Sequence, residues 1–183
     1  MSVMDIRKSL EKRILILDGA MGTMIQQYNL SEQDFRGESF QAHTADVKGV
    51  NDLLSITRPD LIRDIHTAYL EAGADIITTN SFNANYFGLK AHQLEDRVYE
   101  INYAAADIAR NAASSYMQST PGREIFVAGT MGPTIKSASI TPDINHPAQR
   151  EVTFDELTRV YTTQAKGLIE GGVDLILVET VFD

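Results

Sequence analysis

Four short apolar runs, each followed by glycine or polar residues, constrain the fold of this chain more than any other feature. They cover residues 14–17, 75–79, 125–128 and 173–178. Their apolar residues are mostly consecutive and do not alternate with polar ones, which is typical of parallel strands that are covered on both faces. We therefore predict four parallel strands and expect each of them to be buried.

Segments with helical periodicity separate these runs. Residues 59–72, 94–117 and 153–170 repeat apolar side chains at helical spacing. Thr153 and Glu156 have the capping-box pattern of a helix start, and Pro59 suits the first turn of a helix. Strand and helix thus alternate along the chain, which gives a parallel sheet with right-handed crossovers. The predicted fold class is α/β.

Two internal echoes refine this prediction. Residues 71–80 resemble residues 170–179, and the Gly-x-Met-Gly sequence at 19–22 recurs at 129–132. A repeat of two βα units is typical of a (β/α)8 barrel, although Gly-x-Asp also makes a good helix-to-strand turn in any α/β protein. Later units take about 50 residues each, so eight would need roughly twice this chain of 183 residues. We expect a fragment: the N-terminal half of a TIM barrel, with about four parallel strands.

The composition indicates which classes of partner and which cellular compartment suit the chain. With 25 acidic residues against 16 Lys and Arg, the net charge of -9 opposes binding to nucleic acid. No apolar run approaches the roughly 18 residues of a membrane span, and the N-terminus lacks the apolar stretch of a signal peptide. We therefore expect no membrane partner and a cytoplasmic location. The absence of cysteine fits a reducing compartment and removes every thiolate metal ligand.

The candidate binding residues follow the predicted strands, because parallel α/β folds bind ligands at the carboxyl ends of their strands. The turn from Asp18 to Thr23 runs into a predicted helix, so its backbone N–H groups can hold a carboxylate; a turn that binds nothing explains the same spacing. Glu179 ends an apolar strand and needs a nearby cation, either a substrate ammonium or an internal Arg or Lys. Together these groups suit the zwitterionic head of an amino acid.

Histidine and lysine offer no further chemistry in this sequence. Lys136 and Lys166 lie away from the predicted strand ends, which favours solvated lysines over a Schiff base. The histidines have no metal-ligand spacing and are expected at the surface. They are His43, His66, His92 and His146.

Several motifs resemble the N-terminal homocysteine-binding domain of cobalamin-dependent methionine synthase. They lie at residues 14–25, 34–38, 51–54, 72–83, 132–134 and 174–183, so the resemblance runs from about Arg13 to the last residue. Asp-Phe-Arg-Gly-Glu at 34–38 and Glu-Thr-Val-Phe-Asp at 179–183 together separate this family from the homocysteine methyltransferases that use betaine or S-methylmethionine.

The resemblance implies a (β/α)8 barrel and an enzyme. Residues 1–183 would be the N-terminal half of a homocysteine S-methyltransferase barrel domain, with 1–12 as an N-terminal helical extension. The whole enzyme would move a methyl group, originally from 5-methyltetrahydrofolate, from methylcobalamin to homocysteine to give methionine. The backbone at Asp18 and Gly19 would hold the substrate carboxylate, and Glu179 would hold its ammonium. The implied substrate-binding residues are Asp18, Gly19, Ala20, Thr79, Asn80 and Glu179.

The resemblance also implies a zinc ion, which this chain lacks the ligands to hold. In that family three cysteines bind a zinc ion that takes the homocysteine sulfur as a thiolate. We expect this cysteine-free fragment to contain no catalytic residue and no cofactor, with zinc and cobalamin held by the full-length enzyme. Its expected partners are homocysteine and the remaining domains of that enzyme.

Three alternatives stay open. The first is a non-catalytic half-barrel that folds only by association, with its other half or with a second copy across the open sheet edge. The second is a homocysteine S-methyltransferase that uses a different methyl donor. The third is another (β/α)8 chemistry at the same strand ends.

Overall fold

The sheet of this protein is small, parallel and ordered as the chain is. The structure is a computed structural model that describes residues 5–180. Within them, β1 (Ile76–Thr78), β2 (Phe126–Met131) and β3 (Leu175–Val178) pair side by side in that order. The α/β class is confirmed, and so is the parallel order for three of the four predicted strands.

The first apolar run does not form a strand, so that prediction is wrong. Leu17 makes a single parallel bridge with Ile76 of β1, and the carbonyl of Ile16 accepts hydrogen bonds from the N–H groups of Asp75 and Ile76. The outer side of the run is open, with Ile14 83% and Ile16 54% exposed. A strand gains most of its stability from packing against neighbours, and these side chains have little to pack against.

Full burial of the predicted strands holds only for β2, which lies between the other two. Every residue of β2 is buried, whereas the residues of β3 are half-buried and Val178 is 61% exposed. The expectation that all strands are covered on both faces is therefore wrong at both edges of the sheet. Ile77 of β1 is nevertheless buried, and Ile176 of β3 packs against the cluster that contains Leu168.

The three long predicted helices are confirmed, and shorter helices surround them. Two 3-10 turns lie at Asn51–Leu53 and Glu95–Arg97. No helix within residues 5–180 is long and apolar enough to cross a membrane. The α-helices are α1 (Ile6–Leu10), α2 (Met21–Gln26), α3 (Glu32–Arg36), α4 (Leu54–Thr57), α5 (Pro59–Glu71), α6 (Tyr86–Lys90), α7 (Val98–Ser119) and α8 (Phe154–Glu170).

One part of the core lies among the helices and their connecting loops, and a second part lies between the sheet and the helices α5 and α7. Leu61, Ile62 and Ile65 of α5 are fully buried, and each such side chain stabilises the fold by about 1.5–3 kcal/mol. The buried face of α7 consists mainly of alanines, which let this helix approach its neighbours closely. Thr153 caps α8 and forms the predicted capping box with Glu156. These contacts hold the helices against the sheet whose ends form the cavity described below.

His66 is buried in this core, so the prediction of a surface histidine is wrong. It lies on α5 four residues after Ile62 and four before Leu70, which places it on the apolar face of the helix. Neither ring nitrogen has a hydrogen-bond partner among the described residues, and burial lowers the pKa of His66 to about 4. His146 is exposed as expected, and the other two histidines are half-buried.

The longer sequence echo is a structural repeat. The N–H of Asp75 donates to the carbonyl of Ile16 at 2.8 Å, and its Oδ2 accepts from the N–H of Ile16 at 3.0 Å. Asp174 makes the same two hydrogen bonds with Val127, at 2.8 and 2.7 Å. Each aspartate thus fastens the start of its own strand to the preceding strand or run.

The glycine before each of these aspartates makes the turn out of the helix. Gly73 has φ of 108° and Gly172 has φ of 98°, a region that strongly favours glycine. Each glycine ends its helix in the same way. The N–H of Ala74, which follows Gly73, donates to the carbonyl of Tyr69, and the N–H of Val173, which follows Gly172, donates to the carbonyl of Leu168. The Gly-x-Asp sequence is therefore a helix-to-strand turn, and it occurs twice in equivalent places.

Candidate functional site

The carboxyl ends of the strands surround a cavity of about 490 Å³. The structure brings all six predicted substrate-binding residues to its wall, together with Thr130 of β2. The first run contributes although it is not a strand, because its bridge to β1 holds the following turn in place. The six residues are Asp18, Gly19, Ala20, Thr79, Asn80 and Glu179.

Asp18 is held at the cavity wall by Thr78. Its carboxylate accepts hydrogen bonds from the Thr78 N–H at 2.8 Å and the Thr78 hydroxyl at 2.9 Å. Burial raises the pKa of Asp18 to about 6; the Thr78 hydrogen bonds oppose this shift, and the charge of Glu179 adds to it. Asp18 therefore changes charge just below neutral pH and responds to any cation placed beside it.

The turn after Asp18 leads into α2, which begins at Met21, two residues before the predicted start. Ala20 is the N-cap and has no side chain that can cap the helix. The first backbone N–H groups of a helix have no partner within it, so here they are available to an anionic group in the cavity. Gly19 lies so close to the Tyr69 ring that a Cβ would come within 2.9 Å of it. A larger residue would therefore displace Tyr69.

The hydroxyl of Thr79 is fully occupied within the protein. Thr79 Oγ1 accepts from the N–H of Thr130 at 2.9 Å and lies 2.6 Å from Ser81 Oγ. Since Ser81 donates its single hydroxyl hydrogen to the carbonyl of Thr130, Thr79 is the donor to Ser81. Thr79 thus ties the end of β1 to β2 and shapes the cavity wall without a free hydrogen to offer.

Asn80 is 5% exposed and is fixed by its amide group. Its Nδ2 donates to the carbonyl of Asn51 at 2.7 Å and to the hydroxyl of Ser55 at 3.2 Å. Both amide hydrogens are used in this way, so the amide oxygen is the group that Asn80 can present to a ligand.

Asp52 also lines the cavity, and sequence reasoning missed it as a site residue. It is 5% exposed, and its Oδ1 accepts from the N–H of Asn83 at 3.0 Å. Burial raises the pKa of Asp52 to about 6. The sequence signal for Asp52 is an acidic residue directly before two leucines, Leu53 and Leu54, in the motif at residues 51–54.

The cavity is acidic. Asp18, Asp52 and Glu179 contribute carboxyl groups, and no Lys, Arg or His is among the described residues that line it. None of the ion pairs within residues 5–180 involves Glu179, so the internal cation that would explain its position is not found there. The rest of its motif, 181–183, lies outside the described residues. A cationic group is the natural ligand of such a cavity.

The motif at 34–38 lies away from the cavity and has structural contacts. Asp34 forms a capping box with Ser31 at the start of α3. Arg36 donates hydrogen bonds to the carbonyls of His43 and Ala45, which fixes the following loop. These contacts shape the chain between α3 and α4, so the motif does not touch a ligand in the cavity.

The donor set does not fit the zinc ion that the resemblance implies. Residues 5–180 contain no group of three or more His, Cys, Asp or Glu side chains placed to hold a metal ion. The three carboxylates of the cavity lie on different elements: Asp18 follows the first run, Asp52 lies in the 3-10 turn at Asn51–Leu53, and Glu179 follows β3. The sequence has no cysteine. We therefore derive no step through a metal in this chain.

The fold and the cavity define a class: α/β proteins with a cavity at the carboxyl ends of parallel strands, the place where such folds hold small ligands. The sequence profile of homocysteine S-methyltransferase matches residues 15–183. The chain therefore belongs to the homocysteine S-methyltransferase family.

Solved structures of similar fold include the homocysteine methyltransferase MmuM from Escherichia coli. Its oxidized form has a TM-score of 0.70 and 24% identity, over 93% of this chain and 55% of that one. Its metallated form gives 0.71 and 24%, over 96% and 57%, and its apo form gives 0.65 and 22%, over 93% and 51%. At these identities the similarity shows the fold. The present chain spans about half the length of the MmuM chains that it matches.

Proposed function

We propose that this chain binds the amino-acid head of homocysteine as part of a homocysteine S-methyltransferase. The observation that carries the proposal is the acidic cavity, which has three carboxyl groups on its wall and, at the start of α2, a helix end without a side-chain cap. Glu179 and Asp18 bind the substrate ammonium. The N–H groups at the start of α2 bind the substrate carboxylate.

The charge of Asp18 supports this arrangement. An ammonium beside Asp18 lowers the pKa of that carboxyl group from about 6, because the nearby positive charge favours the ionised form. Substrate binding at pH 6 therefore releases protons from Asp18, and binding strengthens as the pH rises through 6. Thr79 and Asn80 act on the substrate through the shape of the wall, with the Asn80 oxygen as a further acceptor.

We also propose the finer context of the reaction. The complete enzyme is a cytoplasmic, cobalamin-dependent methionine synthase, a proposal supported by the motifs that resemble that family. This chain alone is inactive, because homocysteine reacts as its thiolate, the sequence has no cysteine, and no group of side chains within residues 5–180 is placed to hold the zinc ion that stabilises the thiolate. The remaining domains of that enzyme are the proposed partners of this chain.

Glu179→Gln tests the proposal. The change removes the charge opposite the substrate ammonium and keeps the side chain's shape, so homocysteine affinity is expected to fall about ten- to a hundredfold with little change in melting temperature. Isothermal titration of the 183-residue chain measures the affinity. Glu151→Gln, at an exposed position outside the cavity, is the matched control and should bind as the parent does. A variant that melts earlier yet binds homocysteine equally well would show that Glu179 only neutralises a group of the protein.

A second candidate is a half-barrel that is completed by association. The observation that favours it is the exposure of apolar residues on both sides of the sheet, with Ile14 83% and Val178 61% exposed. Such residues are normally covered, and their cover would be the other half of a barrel or a second copy of the chain. The mass of the chain in solution separates this candidate from a stable monomer.

A further inference from the structure

Thr130 has a buried hydroxyl group without a partner. The residue is 2% exposed, and its Oγ1 makes no hydrogen bond among the described residues. A buried hydroxyl without a hydrogen bond is costly, since it has lost its bonds to water and gained none in return. Such a group in a cavity wall calls for a ligand that supplies the missing bond.

The side chain of Thr130 is on the cavity face of β2. Side chains alternate across a strand, and the neighbours of Thr130 are on the opposite face. Met131 packs against Leu168 of α8, and a Cβ on Gly129 would also meet Leu168. Thr130 is therefore directed away from α8, and it lines the cavity.

Thr130 also lies between the two carboxylates that flank the proposed ammonium site. On one side, the N–H of Thr130 donates to Thr79, and the residue before it, Thr78, holds Asp18. On the other side, the carbonyl of the next residue, Met131, accepts from the N–H of Glu179 at 3.1 Å. β2 is the middle strand, so its end lies between the ends of β1 and β3.

We propose that the Thr130 hydroxyl oxygen accepts a hydrogen bond from the ammonium of the bound amino acid. An ammonium has three hydrogens, and Asp18 and Glu179 supply two acceptors. Thr130 supplies the third from the strand between them. This inference rests on the proposed function and extends it to a residue that makes the site specific for an α-amino acid.

Thr130→Val tests the proposal because valine has the shape of threonine without its hydroxyl. Two ligands are titrated into the parent and the variant: homocysteine, and 4-sulfanylbutanoate, which is homocysteine without its amino group. We expect about tenfold weaker homocysteine binding by the variant, equal binding of 4-sulfanylbutanoate by both proteins, and a melting temperature at least as high as the parent's. Thr130→Ser keeps the hydroxyl and should retain the preference for homocysteine.

Thr134→Val is the matched control. Thr134 is a buried threonine outside the 490 Å³ cavity, and its hydroxyl donates to the carbonyl of Lys136 at 2.6 Å. Its replacement should lower the melting temperature and leave both affinities unchanged.

The outcomes separate this inference from the proposed function. A parent chain that does not bind homocysteine overturns the proposed function, and this inference falls with it. A parent that binds, with an equally tight Thr130→Val variant, overturns only the role of Thr130. An equal loss for both ligands also overturns the ammonium contact, because the hydroxyl would then act on another part of the ligand.

Discussion

The buried carboxyl group of Asp52 makes the stability of this protein depend on pH. Its pKa is raised to about 6 because burial disfavours the charged form, and one backbone N–H from Asn83 offsets only part of that cost. The contribution of Asp52 is most favourable below its ordinary pKa of 3.8, where the group is neutral in both folded and unfolded chains. It is lost as the pH rises through 6.

Asp52→Asn removes the part of the pH dependence that Asp52 causes. A shift of about two pKa units corresponds to about 3 kcal/mol, so we expect the variant to gain up to that free energy of unfolding at pH 7.5 and almost nothing at pH 4. Urea unfolding at both values measures the difference. Asp96→Asn, at an exposed position, should leave stability unchanged at either pH. An Asp52→Asn variant that is equally stabilised at both values would contradict the assigned cause.

At the scale of elements, Asp174 lies directly before β3 and binds the backbone of β2, just as Asp75 lies directly before β1 and binds the backbone of the first run. Asp174 Oδ2 accepts from the N–H of Val127 in the buried middle strand, and Arg110 pairs with the same carboxylate. The neighbouring aspartate site is reinforced differently, since Arg13 and Arg123 hold the pKa of Asp75 below its usual range. Each of the two carboxylates thus joins its own strand to the preceding strand or run, and it also binds an arginine of a helix or loop.

Asp174→Ala should therefore destabilise the protein by about 1–3 kcal/mol, because it leaves the N–H of Val127 without an acceptor. Asp174→Asn retains an oxygen for that N–H and loses only the charge facing Arg110, so its loss should be smaller. Thermal and urea unfolding of the two variants measure this order. Equal losses for the two variants would mean that the ion pair with Arg110, and not the bond to Val127, supplies the stability, because both variants lose that ion pair.

Local patterns predicted the elements well because they depend on nearby residues. The capping box at Thr153 and the turn glycine Gly172 are properties of a few consecutive positions. The first run failed because a strand also needs neighbours, and Ile14 and Ile16 have none on their outer side. The polarity of His66 predicts a surface position, whereas its position on the apolar face of α5 determines its burial.

The candidate site was predicted in its location and only partly in its chemistry. A parallel sheet brings strand ends together, so Asp18, Asn80 and Glu179 share a cavity. The hydroxyl of Thr79 is hydrogen-bonded within the protein, whereas that of Thr130 is not. This difference depends on hydrogen bonds between residues about 50 positions apart. Sequence spacing carries no information on such bonds.

At the scale of the whole molecule, the exposed first run predicts association. Ile16 is 54% exposed beside β1, and the backbone of an open sheet edge can pair with another chain. We expect the mass in solution to rise with protein concentration and Ile16→Lys to lower it, because a charged side chain resists burial at the edge.

Sedimentation over a range of concentrations measures this effect. Leu10→Lys is the control, since Leu10 is also 54% exposed but lies on α1, outside the sheet. A parent chain that stays monomeric at every concentration would exclude association through this edge.

The agreement between chain order and sheet order has a consequence for how the protein is made on the ribosome. Each strand pairs with the one before it, so every newly emerged βα unit finds its docking surface already complete. Asp75, directly before β1, and Asp174, directly before β3, reach back to the preceding run or strand with both the N–H and the carboxylate. Growth during synthesis is therefore templated in one direction, and the first run settles once β1 has joined it.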